Sequence, residues 1–199
     1  MIADRYRPLK ALQLPQIFAM ARKAVTKTPS DLEMLMHCWG EAALRHADLG
    51  KMMQLRAVLE QVTLPKPERF KTAGIEPADW FLDVFEAARS LSKGRAKAGI
   101  YRVYVLLLRG YPGGEEGAPA LYVGETHVTP AARLAQHLEG TNAARAAQRF
   151  AVAALPSFST HLVKLSREDS TRLEAELAER LRVVLGRFRL SANRVQGGH

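Results

Sequence analysis

The chain of 199 residues predicts an α+β fold preceded by an all-helical domain, and three observations carry that prediction. Apolar residues recur at helical spacing over roughly the first 95 residues. A small, basic, glycine-containing segment, SKGRAKAG (92–99), then interrupts the pattern. Beyond it the order reads strand, strand, helix, helix, strand, helix, which describes one small α+β domain. The expected division is therefore 1–95, helical, and 96–199, α+β.

In the first part, Gln13 to Lys27 reads as a helix with Pro15 near its start, where a missing N–H costs nothing. Ser30 and Glu33 have the spacing of a capping box that opens a second helix, with Leu32, Leu35, Trp39 and Ala43 as its apolar stripe. Gly50 is the expected break, followed by a third stripe of Met52, Leu55, Leu59 and Val62. LPKPERF (64–70) is a proline-punctuated loop. Pro77 suits a first helical turn, and Trp80, Phe81, Val84, Ala88 and Leu91 form the face that follows.

In the second part, Ile100–Leu108 is β-branched and apolar, RGYPGGEEGAP (109–119) is turn-rich, and ALYVGE is a second short strand, together an antiparallel hairpin with a long loop. Thr129 caps a helix that has Pro130 at its first position and stops at Gly140. A short helix covers 142–150, HLVKL (161–165) alternates like a strand, and Ser166 with Asp169 opens a long helix ended by Gly186.

Bulk properties bound the function. Net charge is +9, with residues 1–95 at +4 and residues 96–199 at +5, so the whole chain carries the signature of a partner to polyanions. One cysteine, Cys38, excludes an internal disulfide framework and suits a reducing compartment. MIADRYRPLK lacks the apolar stretch of a signal peptide, and no apolar run approaches a membrane span, so a cytoplasmic protein is expected. His37, Cys38 and His46 make no recognised metal pattern, Trp39 and Trp80 read as core, and Lys10, Arg22, Lys23 and Lys27 read as a solvated basic face.

Chemistry concentrates in the second part. Arg133 and His137 are four apart, on one helix face, while Leu134 and Leu138 form the neighbouring stripe expected to pack inward. Arg offers a permanently charged fork for phosphate oxygens and His a group that moves protons, although the same spacing equally describes a solvated polar face. On the last helix, with Leu177 at zero on a wheel of ~100° per residue, Glu174 falls near +60°, among leucines, whereas Glu176 and Glu179 fall near −100° and −160°. A lone carboxylate aimed into an apolar face calls for a partner: either a hard divalent cation or a structural ion pair. Tyr101 and Tyr104 are an odd number apart, so a regular strand turns only one of them toward such a site.

GIY at 99–101, YVG at 122–124, Arg133 followed by His137, and the glutamate of RLEAELAERL together resemble the GIY-YIG nuclease superfamily over about 96–198. The resemblance implies a compact α+β domain around a three-stranded antiparallel sheet and a metal-dependent endonuclease acting on DNA with one divalent ion, Mg2+ with Mn2+ as substitute. It makes Glu174 the metal ligand, Arg133 the contact to the scissile phosphate, Tyr101 the general base, Tyr122 a second site tyrosine and His137 an aid to proton transfer. Asn193, in LSANRVQGG, resembles the asparagine that closes the motif set, and Asn142 matches a polar position after the Arg/His helix. The chain departs from the pattern in its long Tyr101–Tyr122 spacing, in Glu125 after YVG and in the distance from Glu174 to Asn193. Two other readings stand beside an endonuclease: a non-cleaving nucleic-acid-binding module of the same fold, and a nuclease toxin or defence effector that uses residues 1–95 for delivery or partner binding.

Overall fold

The computed structural model describes residues 2–65, 80–111, 119–141 and 143–186, and these form two compact units, Met1–Glu86 and Ala87–His199. The division falls upstream of SKGRAKAG because the end of the last N-terminal helix is already tied into the second unit. Arg89 donates to Thr160 and lies 2.9 Å from His161 Nδ1, and the Lys97 N–H donates to Asp169.

In the first unit the regular elements are helical. They are α1 (Leu14–Val25), α2 (Leu32–Leu44), α3 (Leu49–Glu60) and α4 (Phe81–Arg89), the last of which crosses the unit boundary. Three local expectations are corrected. Asp31, not Ser30, caps α2, accepting from the Met34 N–H at 3.1 Å, while Ser30 bridges the Val25 carbonyl and the Thr63 N–H. Gly50 lies inside the first turn of α3 rather than breaking the chain, because Asp48 caps that helix through the Lys51 N–H. On α2, Met36, His37 and Cys38 are buried while Trp39 is only half-buried and Ala43 is exposed, since the helix is covered on most sides and a single stripe misjudges it. Trp80 is buried as expected. Most of the 64–70 loop and Pro77 lie outside the described residues.

Three buried ionisable side chains mark the described residues of this unit. The Glu41 carboxylate, 1% exposed, is raised by burial, but hydrogen bonds from Arg7 and Arg45 more than offset that and hold it below the usual range. His37 stands edge-on to the Phe81 and Phe85 rings at 4.9 and 4.7 Å, and burial pushes it down to about 4. Cys38 is buried beside it in sequence, its thiol pushed up to about 12 by burial, which makes it inert.

The second unit holds a sheet of four described strands, β1 (Ala98–Arg109), β2 (Pro119–Thr126), β3 (Ala151–Ala154) and β4 (Val163–Leu165), all pairs antiparallel. Three helices, α5 (Pro130–Glu139), α6 (Arg145–Phe150) and α7 (Arg167–Gly186), complete it. Four strands replace the three expected. The missed one, β3, is AVAA, directly continuous with α6, with neither a turn signal nor an alternating pattern to reveal it. β1 is long enough to pair with β2 along one side and with β3 and β4 end to end along the other.

β1 is buried on both faces. Its even set, Tyr104, Leu106 and Leu108, packs with Tyr122 against Ala146 and Ala147 of α6. The alternate set, Val103, Val105 and Leu107, is equally buried, and α7 is the other helix that packs on β1 and β2. The glycine of GIY has a steric reason: a Cβ on Gly99 would stand 2.2 Å from the Leu165 carbonyl oxygen, so β1 crosses β4 too closely for any side chain. Among the described residues no helix is long and apolar enough to cross a membrane.

Candidate active site

Helix α5 forms where the sequence places it. Thr129 accepts from the Ala132 N–H at 3.2 Å, Pro130 opens the first turn, and Gly140 closes the helix in the left-handed region at φ 87°. Its buried face differs from the expectation. His137 is fully buried, whereas Leu134 and Leu138 are only partly covered. A solvated Arg133/His137 face is thereby excluded.

What covers His137 is aromatic. Its Nε2 lies 2.8 Å from the hydroxyl of Tyr104, and the Tyr104 and Tyr122 rings stand 6.1 and 5.7 Å from its own. The Tyr104 and Tyr122 rings are 6.1 Å apart, and the Arg133 charge acts on both phenols. Arg133 reaches the amide oxygen of Gln136 at 3.0 Å, one turn along α5. Tyr104 is thus the hub of the cluster, its hydroxyl bonded to His137, its ring beside Tyr122 and its phenol under the influence of Arg133.

The register of the hairpin builds this hub. Tyr104 pairs with Gly124 and Leu106 with Tyr122, so both tyrosines rise from one face of the sheet. A Cβ on Gly124 would come within 2.6 Å of the Tyr104 hydroxyl, so the phenol lies across the strand where YVG lacks a side chain. Sequence reasoning placed Tyr101 in the site. Tyr101 instead is half-buried at an irregularity in the β1–β4 pairing, its ring edge-on to His127 at 6.2 Å. The tyrosine of β1 that meets His137 is Tyr104. Only hairpin register could have revealed this, and the loop between β1 and β2 was too long for its turn type to fix the register.

Helix α7 carries the acid. Ser166 accepts from the Asp169 N–H at 3.1 Å, and Leu173, Leu177, Leu181 and Leu185 are buried as the wheel predicts. Glu174 is 8% exposed, while Glu176 and Glu179 are exposed. Its carboxyl feels both the charge and the main-chain N–H of Glu125 and has no ion-pair partner among the described residues. Burial raises it, the neighbouring Glu125 charge raises it further, and it sits at about 7.

These charges act on the ring cluster. Burial, chiefly, keeps the Tyr104 and Tyr122 phenols above their usual range; Arg133 pulls both down, and Glu174 pushes Tyr122 up. His137 is held down at about 4 by burial and then by Arg133, so at neutral pH it is an uncharged imidazole. Tyr104, Tyr122, Arg133, His137 and Glu174 therefore form one electrostatic group. Asn142 and Asn193 lie outside the described residues.

The donor set bears on a metal. Among the described residues no three His, Cys, Asp or Glu side chains gather to hold an ion. Glu174 with Glu125 nearby offers at most two carboxylates, a set that fits a hard divalent ion completed by water and phosphate oxygens and does not fit a zinc-type cage. Comparison with protein-family models, with curated proteins and with solved structures finds no match to this chain.

Proposed function

We propose that the second unit is a metal-dependent endonuclease that hydrolyses phosphodiester bonds in DNA, of the GIY-YIG type its motifs resemble. The observation that carries this reading is the buried Glu174 carboxyl, without a cationic partner among the described residues, acting on a tyrosine that Arg133 also influences. A purely structural carboxylate at this depth is normally paired, as Glu41 is with Arg7 and Arg45.

The roles follow from position. Arg133, permanently charged, meets the phosphate and stabilises charge that develops on it. Glu174 is the ligand for Mg2+ or Mn2+, and the bound ion supplies positive charge that polarises a phosphoryl oxygen and offsets the carboxylate. Burial raises the Tyr122 phenol, while Tyr104 and then Arg133 lower it and so bring it closer to accepting a proton from water. Tyr104 packs beside Tyr122, and its hydroxyl shares a hydrogen bond with the Nε2 of the neutral His137. The proton-accepting role that the motif resemblance gives Tyr101 is thus proposed for the Tyr122–Tyr104 pair.

Cleavage of plasmid and single-stranded DNA, with Mg2+ or with chelator, tests the reading on purified wild type and Glu174→Gln. Metal-dependent nicking that Glu174→Gln abolishes is expected. Binding without cleavage on every substrate would leave the non-cleaving module in its place.

A further inference from the structure

Glu125 is the residue of the site region that the motif resemblance leaves without a role. It lies three positions after Tyr122 on β2, and β2 is an edge of the described sheet, bonded to β1 on one side only. Every second N–H of an edge strand points away from its partner. Glu125 pairs with Val103, whose own N–H turns away from β2 to the Leu162 carbonyl, so the Glu125 N–H is one of the outward ones, and it favours the charged form of the Glu174 carboxyl.

The Glu125 side chain is attached to the same helix. It accepts from the hydroxyls of Ser170, which is fully buried, and Thr171, the latter at 3.1 Å, with Arg167 Nε 3.9 Å from its other oxygen. Ser170 and Glu174 are one turn apart on α7, so holding Ser170 and Thr171 fixes the height and rotation at which Glu174 meets β2. We infer that Glu125 is a positioning residue: its side chain clamps the first turns of α7 so that its own main-chain N–H holds the Glu174 carboxylate beside Tyr122. The functional weight of this inference rests on the reading of Glu174 as the site carboxylate.

Substitution at 125 leaves the helix able to form. Ser170 Oγ and Thr171 Oγ1 also lie 2.8 and 3.0 Å from the Arg167 carbonyl, so neither hydroxyl is stranded when the clamp is removed. Two variants of the full chain separate clamp from charge: Glu125→Ala removes the acceptor, and Glu125→Gln keeps an acceptor oxygen without the charge.

Amide hydrogen exchange by NMR reads the link directly. In Glu125→Ala the main-chain N–H at position 125 should exchange about tenfold faster or more, and in Glu125→Gln protection should return. On DNA with Mg2+, Glu125→Ala should lower kcat about 10- to 100-fold with KM little changed, and Glu125→Gln should recover most of the loss. Unchanged protection in Glu125→Ala, or a Gln variant as impaired as Ala in both measurements, overturns the positioning role. Failure of wild type to cleave DNA while the exchange pattern holds removes the nuclease reading and leaves the link between Glu125 and Glu174 standing.

Discussion

A glycine and a buried acid make the sharpest statements at the scale of single residues. Gly124 gives the Tyr104 phenol its place across β2, and a methyl there meets the hydroxyl at 2.6 Å with no flexible group to yield. Gly124→Ala should therefore cost about 1–3 kcal/mol in urea denaturation and displace Tyr104 from His137. Glu174 works against the fold. Its carboxyl sits at about 7, above its ordinary 4.5, so the folded state binds the proton more tightly than the unfolded chain, and stability is lost as pH rises through that window. Glu174→Gln should be more stable than wild type above pH 7, by up to about 3 kcal/mol at ~1.4 kcal/mol per unit, with the difference fading toward pH 4.5. His137 has the opposite sign: held at about 4 rather than 6.5, it withdraws stability as pH falls between those values. His137→Phe should accordingly gain on wild type as the solution is acidified from pH 6.5 to 4, measured on the same urea curves. The helical wheel made Glu174 legible because a charge among leucines is a local contradiction. Tyr104 was not legible, because its value depends on a strand pairing that the sequence leaves undetermined.

At the scale of elements, helices were easier to read than strands. Helix α5 begins and ends where Thr129, Pro130 and Gly140 predict, since caps are local chemistry. Which side of α5 faces inward was not local: the rings of Tyr104 on β1 and Tyr122 on β2 settled it, burying His137 in place of a leucine. β3 escaped notice because AVAA carries no periodicity, and β1 supplies the pairing that makes it a strand. The start of α7 gives a direct check. Ser166 accepts from the Asp169 N–H, and Ser166→Ala should cost about 1 kcal/mol in chemical denaturation with little change in the m-value.

At the scale of the whole chain, positive charge is the dominant property. A net +9, of which residues 87–199 carry +8 and residues 1–86 carry +1, predicts that DNA binding is strongly salt-dependent, as counterions are released from each neutralised phosphate. Affinity for duplex DNA should fall by about a hundredfold or more between 50 and 200 mM salt in a binding titration, consistent with roughly four to six phosphate contacts. A weak slope would assign the positive charge to something other than nucleic acid. The change of periodicity read from the sequence lies near residue 95 and the division between the units at Glu86/Ala87, and the tie of Arg89 to Thr160 and His161 was not legible because it joins residues about seventy positions apart.

Gly99 has a bearing on how such chains are compared. Its lack of a side chain is demanded by the crossing of β1 over the Leu165 carbonyl, whatever the site does. A descendant that had ceased to act on any substrate would keep Gly99 for as long as it kept the sheet. Gly99 thus reports how the sheet is built and says nothing of the chemistry proposed for Arg133 and Glu174.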